Sequence, residues 1–417
     1  MRGQARRWHV AVVVENVPLG VDTRLRKQVD DLLDAGFEVS VVTARHDDNA
    51  PYRHRESLRL LEYPAPPDGG GVLGFAREYA VSLGWAVVRL LALRARTPID
   101  VVQLCQPPDV YWPLAWLLRW TGTRIVVDQR DLMPELLVSR GGRQAGPLLW
   151  VLRRLERETQ RVAHATVTVN DHLRDRLVGA GCDPAAISIV RNGPVLRRVR
   201  AVEAGPPRRA AQGRGLRIVW AGKIGRQDRV DEVVRLAEEI VHRRGRTDCS
   251  FVVLGDGECL QELEDRAQDL GLEAHVSFPG WVDERTLFGQ LRAADLGVDT
   301  SLQEEVSPVK VMEYMALGLP FACFDLPESR NLAAGSAVLV PPGDLDALAD
   351  AVLALLDDPA RRRLLGQHGR RRVEEELAWE RQAPGYLAAV SPPRDSGVVR
   401  RPDDELSARR TRTAALG

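Results

Sequence analysis

The chain has 417 residues, more than one compact core accommodates, so two domains are expected. Its 58 basic and 58 acidic side chains cancel, which excludes the strongly basic field of a nucleic-acid binder. The five cysteines (Cys105, Cys182, Cys249, Cys259 and Cys323) are odd in number, widely spaced and form no CxxC pair, which excludes a disulfide or zinc framework and suits a reducing compartment.

In chain order, HVAVVV (9–14) comes first. Glu15 interrupts it and no small-residue cleavage site follows, so it reads as a buried strand and not as a signal peptide. No uncharged apolar run reaches membrane-spanning length; the best candidate, 81–95, is broken by Arg89 and Arg94. A cytoplasmic chain is expected, with peripheral contact on the inner face of a membrane left open.

Strand-like runs continue at EVSVVT (38–43), DVVQL (100–104), RIVVD (124–128), ATVTV (165–169) and SIV (188–190). A second set comprises RIVWAG (217–222), SFVVLG (250–255), HVSFPG (275–280), LGVDT (296–300) and AVLV (337–340). Helical patterns separate most of them; LRKQVDDLLDAG (25–36) repeats its apolar positions at helical spacing and stops at Gly36. Strand–helix alternation predicts an α/β chain of two doubly wound, Rossmann-like domains with parallel sheets. Residues 1–195 form the first. The stretch 196–215, rich in Arg, Pro, Gly and Ala, reads as a linker, and 216–365 form the second. Residues 366–390 are expected as a C-terminal helix returning to the first domain, and 391–417 as a disordered tail. Two basic amphipathic stretches, 72–96 and 146–165, suit either packing on a sheet or an anionic membrane surface.

The densest chemistry lies in EEVSPVKVMEYMALGLP (304–320), directly after the strand LGVDT. Pro308 suits the first turn of a helix, and Gly318 closes the helical pattern. Amides around Ser307, Pro308, Val309 and Lys310 can face a phosphate (Pro308 itself donates none), with the helix dipole and Lys310 adding positive potential. Glu313, one turn deeper, is placed to accept ribose hydroxyls. Together these residues fit a nucleoside diphosphate. In the turn after RIVWAG, Lys223 and Arg226 follow Gly222, where a Gly-rich strand–helix junction binds phosphate. LGDGE (254–258) lacks the third glycine of a dinucleotide fingerprint.

The run SPVKVMEYMALGLPFACFD, with Glu305 and Glu313 in an E-x7-E arrangement, resembles the donor motif of family 4 glycosyltransferases. RIVWAGKIGRQDRVDEVV, FVVLGDGECLQELEDRAQDLGLEAHVSFPGWVDERTLFGQLRAADLGVDTS and AVLVPPGDLDALADAVLALLDDP extend the likeness, as do ENVPLGVDTRLRKQVDDLLDAGFEVSVVT and ISIVRNGP in the first half. The resemblance covers most of 8–385. It implies the GT-B architecture, two Rossmann-like domains across a cleft. It also implies retaining transfer from a nucleoside-diphosphate sugar to a saccharide or lipid-linked acceptor, as in cell-surface polysaccharide or glycolipid synthesis. By position, Glu313 would hold the ribose, Ser307, Pro308, Val309 and Lys310 the distal phosphate, and Glu305 the transferred sugar. Gly20, Gly222 and Gly255 would let backbone approach the donor, Arg226 would grip phosphate, and Trp281 and Val282 would line the base pocket with Leu287. Lys223, Lys310, Glu305, Arg130 and Asp131 are the expected catalytic residues. The implied mechanism uses the donor phosphate as base, so neither a metal nor another cofactor is expected.

Two positions depart from the family. Arg130 stands where a histidine commonly precedes the aspartate, and as a permanent cation it cannot act as a base. Asp228 stands where a lysine is usual, five positions after Lys223, and reverses the charge. These departures favour one alternative, a non-catalytic relative acting as a binding or partner subunit.

Overall fold

The computed structural model describes residues 7–15, 17–65, 71–139, 146–205, 215–303 and 307–392. They divide into two units: Met1–Val169, Leu173–Val190 and Ala383–Gly417 in the first, Asn170–His172 and Arg191–Gln382 in the second.

The first unit is a parallel sheet of β1 (His9–Val13), β2 (Glu38–Ala44), β3 (Leu58–Tyr63), β4 (Val101–Gln106), β5 (Arg124–Gln129), β6 (Ala165–Thr168) and β7 (Ile187–Ile189), in the order β3-β2-β1-β4-β5-β6-β7. Every residue of β1 and β4 is buried, as parallel strands covered on both faces require. Val10 pairs with Val39 on one side and Val101 on the other.

The second unit holds β8 (Leu216–Ala221), β9 (Cys249–Leu254), β10 (Val276–Gly280), β11 (Leu296–Asp299), β12 (Phe321–Phe324) and β13 (Ala337–Val340), ordered β10-β9-β8-β11-β12-β13 and again parallel. Alternate residues face opposite cores: Trp220, Phe251 and Val298 join one, Val219, Val252 and Phe321 the other. Pro279 lies within β10, which is tolerable because that strand is at the sheet edge.

The expected α/β class with two doubly wound sheets is what the chain forms. Two strands escape the sequence reading. β3, LRLLEY, is an edge strand whose Arg59 and Glu62 interrupt the apolar run. β12, FACF, has only four residues and follows directly on the helix closed by Gly318. The linker expected over 196–215 is corrected in its first part. Leu196–Glu203 is a helix whose Leu196 and Val199 are buried in the second unit's core, and Arg198 pairs with Glu284 at 2.8 Å. Its arginine-rich composition hid the apolar spacing Leu196, Val199, Val202. The rest of that stretch, 206–214, and the expected tail beyond 392 lie outside the described residues. The single helix expected over 366–390 is divided between Pro359–Arg372, a π-helical turn at Val373–Leu377, and Trp379–Val390. Its last part belongs to the first unit, where the Tyr386 hydroxyl donates to Gln103 Oε1 at 2.6 Å and Arg124 donates to the Ala389 carbonyl.

Candidate functional site

In the second unit the strands run outward from β8 in both directions, so connections change side between β8 and β11. Open α/β sheets bind ligands at such a switch point, beyond the strand C-termini. The helix Val309–Ala316 is fixed there by Tyr314. The buried Tyr314 hydroxyl accepts from Ala221 N at 3.1 Å and donates to the Val298 carbonyl at 3.3 Å, which ties the helix to the ends of both β8 and β11. Gly297 makes room for it: a Cβ there would stand 2.6 Å from the Tyr314 ring.

Lys310 lies one turn before Tyr314 on the same helical face. Its Nζ donates to Asp299 Oδ1 at 3.1 Å and sits 4.6 Å from the centre of the Trp220 ring, within cation–π range. The Lys310 and Asp299 side chains are only 11% and 3% exposed. Lys310 is therefore a largely covered cation with a carboxylate partner, a pairing that the sequence alone did not indicate. Asp228 faces the same point. Burial raises its carboxyl above the ordinary value, with Lys310 opposing the shift and Asp299 adding to it. Its Oδ2 is buried without a hydrogen-bond partner among the described residues, as is Ser307 Oγ at the helix entrance. Pro308 is the N-cap, with Val309 the first helical residue, and Gly318 closes the helix at φ +67°. Glu313 is half-buried one turn along, and Glu305 lies outside the described residues.

The loops after β8, β9 and β10 are laced together. Gly222 N donates to the Leu254 carbonyl at 2.9 Å, and Gly255 N to the Gly280 carbonyl at 3.0 Å. A Cβ on Gly255 would stand 1.8 Å from the Gly222 carbonyl oxygen, and its φ of +139° disfavours any side chain. Close approach between two loops thus accounts for this glycine. Gly255→Ala is expected to destabilise the chain by about 2–4 kcal/mol by displacing the Gly222 loop. Urea midpoints check this, with Gly271→Ala as control: Gly271 also has positive φ but open space around it. If the two variants behave alike, the loop contact is immaterial.

The remaining donor-side residues divide. Lys223 is exposed on the turn after β8. Arg226 is 75% exposed and pairs with Glu262 at 3.3 Å. Val282 and Leu287 pack against the core that holds Tyr314, whereas Trp281, directly after β10, is 75% exposed.

In the first unit the switch point falls between β1 and β4. Asp22 caps the helix Thr23–Asp34, accepting from Leu25 N at 2.8 Å. It also pairs with Arg130. Asp128, at the end of β5 and fully buried, accepts from Arg24 Nη2 at 2.8 Å, Arg130 Nε at 2.9 Å and Gln28 Nε2 at 3.0 Å. Burial opposes its ionisation, but the charges of Arg24 and Arg130 outweigh this and hold its carboxyl well below the usual range. Arg130 is thus engaged by two carboxylates. Asp131 is half-buried, and its carbonyl accepts from Gln129 Nε2 at 2.8 Å. Gly20 is crowded by protein: a Cβ would meet the Asp48 carbonyl oxygen at 2.0 Å, and Gly20 N donates to Asn49 Oδ1. Asp109, buried after β4, has its carboxyl pushed up to about 7 by burial.

Sequence reasoning missed Asp299, Trp220 and Tyr314. The usable signal for Asp299 was a lone carboxylate ending an otherwise apolar strand beside the helix of Lys310.

Residues 20–193 match the family model described as glycosyl transferase 4-like domain, and residues 215–358 the model of glycosyl transferases group 1. The chain belongs to the family 4 glycosyltransferases. The fold of this glycosyltransferase is that of known GT-B structures. Sucrose-phosphate synthase from Thermosynechococcus elongatus superposes with a TM-score of 0.72 over 98% of this chain and 100% of that one, at 19% identity. HepE of Anabaena, in complex with UDP and glucose, gives 0.68 over 92% and 99%, at 13% identity. Among curated relatives, alpha-D-kanosaminyltransferase of Streptomyces kanamyceticus is 30% identical over 153 residues, which is 36% of this chain and 39% of that protein. The glycosyltransferase thus matches well under two thirds of that relative's length.

Proposed function

We propose that the chain transfers a sugar from a nucleoside-diphosphate donor to a saccharide or lipid-linked acceptor in the cytoplasm, with retention of anomeric configuration. The observation that carries this reading is the largely covered Lys310, held with Asp299 at the β8–β11 switch point, with a buried Ser307 hydroxyl at the helix entrance that has no partner among the described residues. The HepE neighbour, which holds UDP and glucose, supports a nucleotide donor. In this reading Glu313 accepts the ribose hydroxyls. The leaving diphosphate draws on Lys223, Lys310 and the amides at the start of the helix Val309–Ala316. The acceptor oxygen bonds to the anomeric carbon as the bond from that carbon to the diphosphate breaks. The departing phosphate oxygen takes the acceptor proton on the same face. This assigns charge stabilisation to the protein and calls for no metal ion.

A thermal-shift screen against UDP, GDP, ADP and dTDP without added metal tests the donor site. Ligand bound to the native state raises Tm by mass action, the stabilisation reaching about 2.7 kcal/mol at a hundred times Kd. One nucleotide is expected to give a shift that Glu313→Ala removes. Because Asp228 sets a carboxylate beside the place assigned to the diphosphate, Asp228→Asn is expected to tighten binding by about 3–10-fold, the gain shrinking as pH falls and Asp228 protonates. No shift with any nucleotide would sink the proposal.

A further inference from the structure

Three helices of the first unit, Gly71–Arg94, Trp112–Trp120 and Pro147–Val162, cover one face of its sheet. Ala86, Leu90, Leu114, Leu118 and Val162 from these helices share one core with the strands beneath. Covering a sheet needs only one apolar stripe per helix, and the opposite stripe is ordinarily polar. Here it is not. Trp120 is 75% exposed, Trp150 69% and Trp116 51%, with Leu117, Val88 and Leu91 also open to solvent. The Trp116 and Trp120 rings pack together, centres 5.2 Å apart and tilted by 57°.

The charge on these helices is as unusual as their apolar surface. Together they carry eight arginines and three glutamates, a basic surplus in a chain whose total charge is zero. Arg154, Arg157 and Arg161 follow Trp150 at four, seven and eleven residues, forming one exposed stripe on the helix Pro147–Val162. Arg161 and Arg119 reach an open groove of about 710 Å³ lined by Trp112, Trp116, Trp120 and Glu158. Arg119 anchors the two helices by donating to the Val162 carbonyl at 3.0 Å.

Exposed tryptophans interleaved with arginines on a helical layer match the interface of a bilayer. Indole rings settle at headgroup depth, and guanidinium groups bind lipid phosphate bidentately. A second copy of the chain on this face would set one arginine cluster against another, an unfavourable juxtaposition. Among the described residues no helix is long and apolar enough to cross a membrane, so the contact would be interfacial. We propose that this tryptophan–arginine face docks the chain on the surface of an anionic phospholipid bilayer. The inference does not rest on the donor reading above.

Sedimentation of the full chain tests it, using vesicles of phosphatidylcholine alone and of phosphatidylcholine mixed with phosphatidylglycerol. The protein is expected to pellet with the mixed vesicles and to be released by high salt. The double variant Trp120→Ser, Trp150→Ser is expected to lower partitioning about tenfold or more. Arg154→Gln with Arg157→Gln changes only surface side chains and is expected to do the same. Both variants should keep the melting temperature and the nucleotide-induced shift of the unaltered chain, so failure of this inference is separable from failure of the donor site. Absence of pelleting, or pelleting unchanged in both variants, would overturn the proposal. So would a dimer in solution that Trp120→Ser dissolves without any vesicle binding, which would assign the face to a second copy.

Discussion

Lys310→Met is expected to destabilise the second unit by about 3–5 kcal/mol, in addition to weakening nucleotide binding. The cause is Asp299. Its carboxylate is 3% exposed at the end of β11, with Lys310 Nζ 3.1 Å away and Asp228 nearby. Removing the cation leaves a buried carboxylate without its counter-ion, which costs far more than an exposed pair is worth. The double variant Lys310→Met, Asp299→Asn should recover most of the stability and none of the nucleotide affinity. Urea midpoints follow the first quantity, and the nucleotide-induced shift in Tm follows the second. A single variant as stable as the unaltered chain would show that Asp299 does not depend on this lysine. The chain spends one of its three lysines, Lys27, Lys223 and Lys310, at this position. The ammonium lies over the Trp220 ring as well as beside Asp299, so the ring and the carboxylate together fix its position.

Asp128→Asn is expected to cost a similar amount, about 3–5 kcal/mol, in the first unit. Asp128 is fully buried between Arg24 and Arg130, and the amide would leave both guanidinium groups short of negative charge. The pH dependence carries a sign. The folded-state carboxyl is depressed, so its stabilisation is complete above the unfolded-state pKa of about 4 and is lost as pH falls through the folded value. The gap between the two proteins should be flat around neutrality and should narrow only below about pH 4. Urea midpoints across that range measure it. A gap that widens in acid would show that the carboxylate is not held by the two arginines.

The sheets were legible because buried parallel strands are written as short, continuous runs of β-branched residues, as in HVAVV and RIVVD. β3 and β12 were not: one has the charged residues of an edge, and the other is four residues long. The helix of Lys310 and its closing Gly318 could be read from local spacing. What Lys310 touches could not, because Asp299 lies eleven residues away and the contact depends on how Tyr314 seats the helix. The same limit hid the role of Arg130. Its partner Asp22 is 108 positions distant, and Arg24 reaches Asp128 across 104. Gly20 and Gly255 were recognisable as places of close approach, but a sequence does not say whether ligand or protein does the approaching. At both, a backbone carbonyl of the chain itself is the near neighbour.

The return of Ala383–Val390 to the first unit bears on how the chain is made. Gln103, buried in β4, accepts a bond from Tyr386, and Arg124 at the start of β5 donates to the Ala389 carbonyl. The roughly 190 residues of Arg191–Gln382 are translated in between, which takes a ribosome about 10–40 s. Throughout that interval the first sheet stands without its last helix, while the second unit emerges as one nearly unbroken segment. Synthesis order and completion order are therefore reversed: the unit begun first is the one finished last. A nascent chain arrested near residue 380 should resist protease in its second unit before its first.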